Sequence, residues 1–128
     1  MSWTAMFNPA LQIVELTYSE TISGADLEDA TTECIRLGKQ HTSNRFMVDT
    51  GDAVFQVPIV NIYDLPDKQY VQQDADRASR IAVVSPANSE GKKIVYFYET
   101  VCVNRGWNAK IFPDRDTALQ WLTTDVAS

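Results

Sequence analysis

Arg80-Ile-Ala-Val-Val-Ser85 is a short apolar run rich in β-formers and bounded by turn residues, the pattern of a strand buried on both faces. Pro86-Ala-Asn-Ser89 supplies turn and cap chemistry. Ile94, Phe97, Tyr98, Val101 and Cys102 then recur at helical spacing, with Gly106 just past the predicted helix end. Asn108-Ala-Lys-Ile-Phe112 reads as the next strand. Strand, helix, strand in close succession is the parallel crossover unit, because parallel neighbours cannot be joined by a tight turn.

Working back from that unit, Arg45-Phe-Met-Val-Asp49 is another short apolar run bounded by turn residues. Leu11-Gln-Ile-Val-Glu-Leu-Thr-Tyr18 partly alternates, and Trp3-Thr-Ala-Met-Phe7 reads as an edge strand joined to it through Asn8-Pro9. Between the strands, Ser23-Gly24-Ala25-Asp26 opens a helix with Leu27, Ala30, Cys34 and Leu37 on one face and Gly38 as its expected stop. Downstream, Pro113-Asp114 opens a last helix through Ala118, Trp121 and Leu122. The order is β, β, α, β, α, β, α, β, α. It predicts an α/β fold with a mostly parallel sheet of about five strands and four or more helices, as a single domain over 1–128. Ile13, Val48, Ala82, Val83, Phe97, Ile111 and Trp121 are the expected core.

The 128 residues are 45% hydrophobic and 22% charged, which fits a globular chain and argues against disorder. A formal charge of −6 with no basic block argues against a nucleic-acid interface. No apolar run reaches the roughly 20 residues of a membrane span. Met1-Ser-Trp-Thr-Ala-Met6 lacks the basic and apolar parts of a signal peptide, so a cytoplasmic location is expected. Cys34 and Cys102 form no CxxC pair, and each lies in an apolar periodic segment as a small buried thiol.

Three stretches resemble the SpoIIAA-like branch of the STAS superfamily. They are Ile22-Ser-Gly-Ala-Asp-Leu-Glu-Asp-Ala30 at the first helix, the pairing of Phe46-Met-Val-Asp49 with Arg80-Ile-Ala-Val-Val84, and Ile111-Phe112 followed by Thr117-Ala-Leu-Gln-Trp-Leu122. The resemblance implies the fold. It does not carry over the phosphorylatable serine of the regulated members, because Asp49-Thr-Gly-Asp-Ala-Val-Phe-Gln-Val-Pro58 contains none. Thr50 is the only hydroxyl there, several positions too early for a phosphate at a helix start. The resemblance further implies an amphipathic cover over an apolar cavity, with association at membranes.

No GxxxxGK, GxGxxG or GxSxG occurs, and the single histidine, His41, lies in a polar loop without a second histidine ligand. No cofactor or metal is expected. The unusual segment is Val54 to Leu65, where Phe55, Val57, Ile59, Val60, Ile62, Tyr63 and Leu65 surround a helix predicted over Val57 to Leu65, with Pro58 in its first turn and Pro66 as its end, instead of forming one stripe. They are the candidate surface for a partner protein, a second copy or an apolar, lipid-like ligand, with peripheral membrane association as one form of it. The leading expectation is therefore a non-catalytic binding domain. The alternative is a small enzyme or cation-dependent domain using Asp49 and Asp52, with Thr50 or His41 assisting, at the carboxyl edge of the sheet.

Overall fold

A computed structural model describes residues 2–124. Its main sheet holds five strands in the order β1 (Trp3–Asn8), β2 (Ile13–Tyr18), β4 (Arg45–Asp49), β6 (Arg80–Val84) and β7 (Asn108–Phe112). β1 is the antiparallel edge, and every other pairing is parallel. Two short strands, β3 (Thr21–Ser23) and β5 (Val54–Gln56), pair parallel as a separate strap. The helices are α1 (Gly24–Gln40), α2 (Ile59–Leu65), α3 (Ser89–Asn104) and α4 (Arg115–Thr123), with a π-helical turn over Pro66–Val71 directly after α2.

Chain order and spatial order coincide from β2 to β7, so each crossover steps the same way along the sheet. Crossovers of one hand then leave their helices on one face. The packing follows this rule: Val14, Leu16, Tyr18, Ile81, Val83 and Ala109 point to the face covered by α1, α2, the π turn and α3. The alternate residues Ile13, Met47, Ala82, Val84 and Phe112 meet Ala118 and Leu122 of α4 on the other face. Of the expected core, Ile13, Ala82 and Val83 are buried, whereas Val48, Phe97, Ile111 and Trp121 are only half-buried. α4 has just nine residues and leaves part of the Trp121 indole uncovered beside Phe112.

Four element boundaries differ from expectation. β2 starts at Ile13, because Asn8 caps a turn through its side chain, accepting from Ala10 and Leu11 amides, and Gln12 takes a left-handed φ of 59°. Gly38 lies inside α1, which runs two residues further to Gln40. Val54–Gln56, ahead of the predicted helix, is a strand held by its ladder to Thr21–Ser23, and α2 starts at Ile59 with Pro58 as its N-cap. The sequence also predicts a second helical piece from Asp67 towards Arg77, and the structure holds only the π turn there. Pro66 has no N–H for the regular i−4 bond, and the chain rewinds more widely before ending at Val71.

The α4 face is also pinned by charge. Glu15 accepts from Arg115 Nη1 at 2.7 Å and from Asn8 Nδ2 at 2.8 Å. The Arg115 hydrogen bond holds its carboxyl below the ordinary 4.5, against burial that pulls the other way. A depressed carboxyl stabilises the fold above its unfolded-state value, and that contribution disappears as pH falls through the lowered folded value. Arg115 is about half exposed, so Arg115→Gln is expected to cost about 1 kcal/mol or less at neutral pH. Urea titrations should show that gap closing in strong acid. A gap that persists there would mean the guanidinium acts through packing.

Candidate functional site

Ser23 ends β3 and caps α1 reciprocally with Asp26: Oγ accepts from the Asp26 amide while the Asp26 carboxylate accepts from the Ser23 amide. The strap therefore fixes β5, and with it the start of α2, to the mouth of α1. Prolines flank α2 on both sides, with Pro58 at its N-cap and Pro66 at its C-cap. Its two sides differ sharply. Ile62 and Leu65 are buried, at 3% and 5% exposure, while Ile59, Val60 and Tyr63 are 55%, 54% and 52% exposed. Val57 and Phe55 are half-buried. The surround of apolar residues seen in the sequence thus resolves into an inner wall and an outer face.

The inner wall lines a partly open apolar cavity of about 100 Å³. Phe55, Ile62 and Leu65 form the cover, Leu16, Ile81 and Val83 the sheet floor, and Leu27, Cys34 and Ile35 the α1 side. Ile94, Val95 and Tyr98 line it from α3. Tyr70 of the π turn and Trp107, between α3 and β7, complete it in edge-to-face contact, ring centroids 5.2 Å apart. No residue lining this cavity carries a formal charge. Ile35, Phe46, Ala75 and Ser79 are shared with a neighbouring cleft of about 350 Å³ whose rim includes Lys39, Asn44, Asp74 and Asp76. The cavity thus abuts a polar mouth at the amino end of β4 and β6.

The cover is tied down at its outer end. The Arg105 guanidinium stacks over the Tyr63 ring at 4.1 Å, donates to the Tyr63 carbonyl, and pairs with Asp67 at 3.4 Å. Gln69 Nε2 donates to the Glu28 carbonyl at 3.0 Å, and Gln73 Nε2 to Thr32 Oγ1 at 3.1 Å, holding the π turn and the loop beyond it against α1.

Polar groups in this region are largely buried and neutral. Burial pushes the Cys34 and Cys102 thiols up to about 12, so at neutral pH they remain protonated and poorly nucleophilic. Tyr70 and Tyr98 are also raised by burial, and their hydroxyls are hydrogen-bonded to each other. Trp107 was not singled out by sequence reasoning. The signal for it is the glycine stop before it: the Trp107 amide donates to the Cys102 carbonyl and the Gly106 amide to Val103, the double bond of a Schellman cap, whose outer residue is commonly apolar.

The acidic candidates stand apart from this cavity. Asp49 accepts from the Gly51 amide of its own loop at 3.0 Å, and Asp52 is exposed. His41 precedes β4 and stacks on Phe7 at 4.0 Å, at the opposite end of the strand from Asp49. Thr50 is 2% exposed and donates to the Val84 carbonyl at 2.7 Å. Among the described residues no group of three or more His, Cys, Asp or Glu converges as a metal site, and no helix is long and apolar enough to cross a membrane. Acetyl phosphate or a serine/threonine kinase should therefore leave Thr50 unmodified in the folded protein, as read by mass spectrometry. A stoichiometric phosphate there, with altered partner binding, would overturn this.

Comparison with protein-family models, with curated proteins and with solved structures finds no match to the chain.

Proposed function

We propose that the chain is a non-catalytic binding domain of the SpoIIAA-like, STAS type that takes up an apolar ligand beneath α2. The observation that carries this reading is the uncharged cavity covered by Phe55, Ile62 and Leu65, in the segment whose composition is least like an ordinary surface helix. Apolar space of this kind is a natural host for a small apolar molecule: an engineered cavity half as large again, roughly 150 Å³, stays dry and binds benzene. The acidic alternative lacks comparable support, because Asp49 is engaged by its own loop and Asp52 faces solvent.

Toluene is a suitable probe. Titration followed by methyl resonances should shift Ile62, Ile81 and Val83 together. Cys34→Leu, which extends a wall residue into the cavity, should abolish the shift while the protein stays folded. Unmoved methyl signals at saturating toluene would refute the reading. A second reading is contact between copies through the outer face of Ile59, Val60 and Tyr63, three large apolar side chains that are each more than half exposed. Its readout is oligomeric state.

A further inference from the structure

The cavity is not uniformly apolar, and its polar groups fall into two kinds. Most are already satisfied: Thr31 Oγ1 donates to the Leu27 carbonyl, Thr50 Oγ1 to Val84, and the Tyr70 and Tyr98 hydroxyls bond each other. The Tyr18 and Ser79 hydroxyls line it as well, but among the described residues the fully buried side-chain nitrogen or oxygen without a partner is that of Trp107. Trp107 is 3% exposed and lines the cavity, and its indole Nε1–H, closed over by neighbouring atoms, meets no hydrogen-bond acceptor among the described residues, so an occupant's oxygen reaches it only as those atoms part. A buried donor without a partner is costly, and native structures contain few of them. The indole is also held in place. Arg77 lies over its ring at 4.3 Å, and Tyr70 meets it edge to face.

Charge decides what kind of acceptor suits this donor. No lining residue is ionised at neutral pH, and Arg77 and Arg105 are not walls of the cavity. Arg77 donates to the Arg105 carbonyl, and Arg105 is committed to Tyr63 and Asp67. An ionised carboxylate would lose its hydration among uncharged walls, the Arg77 guanidinium over the indole not being one of them, which is strongly unfavourable. A neutral carbonyl-type oxygen needs only one donor.

Building on the apolar-ligand reading above, we propose that Trp107 Nε1–H is the polar anchor of the cavity and selects uncharged apolar molecules bearing one carbonyl-type oxygen. The anchored end lies at the amino edge of the sheet, because Arg80 pairs with Asn108 immediately after Trp107. This is the end at which the cavity abuts the polar mouth.

The test compares cyclohexanone with methylenecyclohexane, which has nearly the same shape but no acceptor, and with cyclohexanecarboxylate at neutral pH. Affinities are measured for the parent chain and for Trp107→Phe, so that the different hydration of each probe cancels within its own pair. Trp107→Phe should weaken cyclohexanone about tenfold, the value of one ordinary hydrogen bond, and leave methylenecyclohexane within about twofold. In the parent chain the ¹H–¹⁵N indole resonance of Trp107 should move downfield with cyclohexanone alone. Cyclohexanecarboxylate should not compete.

If both neutral probes enter, respond equally to Trp107→Phe and leave the indole resonance unmoved, the anchor is refuted while the cavity reading stands. The indole N–H is then satisfied within the fold, for instance by the Tyr70 ring face. Carboxylate binding as strong as the ketone's refutes the selection for uncharged ligands. Entry of no probe refutes the cavity reading itself. Should Trp107→Phe fail to fold, the parent indole resonance alone decides.

Discussion

Replacing Ile62 by aspartate is expected to cost about 4 kcal/mol or more, from lost apolar burial and from a carboxylate placed in an uncharged wall. Native domains hold only about 5–15 kcal/mol in total, so this variant should be largely unfolded in mild urea. Ile59→Asp, three residues away on the outer face, should change stability by about 0.5 kcal/mol or less, because its side chain is 55% exposed. Urea titrations followed by circular dichroism measure both. Equal costs at the two positions would mean that α2 is rotated from the orientation described here. Size-exclusion chromatography of Ile59→Asp adds the second readout: a shift to a smaller species assigns the outer face to self-association, and no shift removes that reading.

Gly38→Val is expected to be the other large effect, at about 2–3 kcal/mol. A Cβ at this position would lie 2.8 Å from Phe46 Cζ and 2.9 Å from the Ser43 carbonyl oxygen. The Phe46 ring can rotate away, but the Ser43 backbone cannot, because the Ser43 amide is bonded back to the Gly38 carbonyl at 2.8 Å. Helix propensity favours almost any residue over glycine at an interior position, so a stabilised variant in a urea titration would show that the contact yields freely.

The same residue marks a limit of reading the sequence. Glycine near the end of an apolar helical pattern is ordinarily a stop, but here Thr42 takes the left-handed position, at φ 51°, and Gly38 sits one turn earlier as the place where the returning chain crosses the helix. Periodicity cannot separate the two roles, since both place glycine in the last turns. The parallel strands were legible for the opposite reason: Phe46-Met-Val and Ile81-Ala-Val-Val are short, apolar on both faces and flanked by turn residues. The end of α2 was legible from Pro66.

The strand ahead of α2 was not legible. Val54–Gln56 has no helix-breaking residue of its own and becomes strand only through pairing with Thr21–Ser23, a contact far away in sequence. At the candidate site, composition alone showed that Val54–Leu65 was too apolar for one stripe. Which residues face inwards depends on where the helix starts, and that boundary was set by the strap. Trp107 was missed because an isolated tryptophan between a glycine and a strand carries no periodic signal.

The cavity beneath α2 also bears on how the protein responds to hydrostatic pressure. Internal space that close packing leaves unfilled is eliminated when the chain unfolds, so compression favours the unfolded state. About 100 Å³ per molecule amounts to about 60 mL per mole, comparable with the roughly 20–100 mL/mol by which whole proteins shrink on unfolding. That figure is the ceiling for this feature, because the cavity is partly open and water in its mouth is not void, so it adds to the pressure sensitivity of the fold by up to that amount. An occupant that fills the cavity would then make the domain less compressible, and a barometric measurement would register occupancy without any spectroscopic change in the ligand.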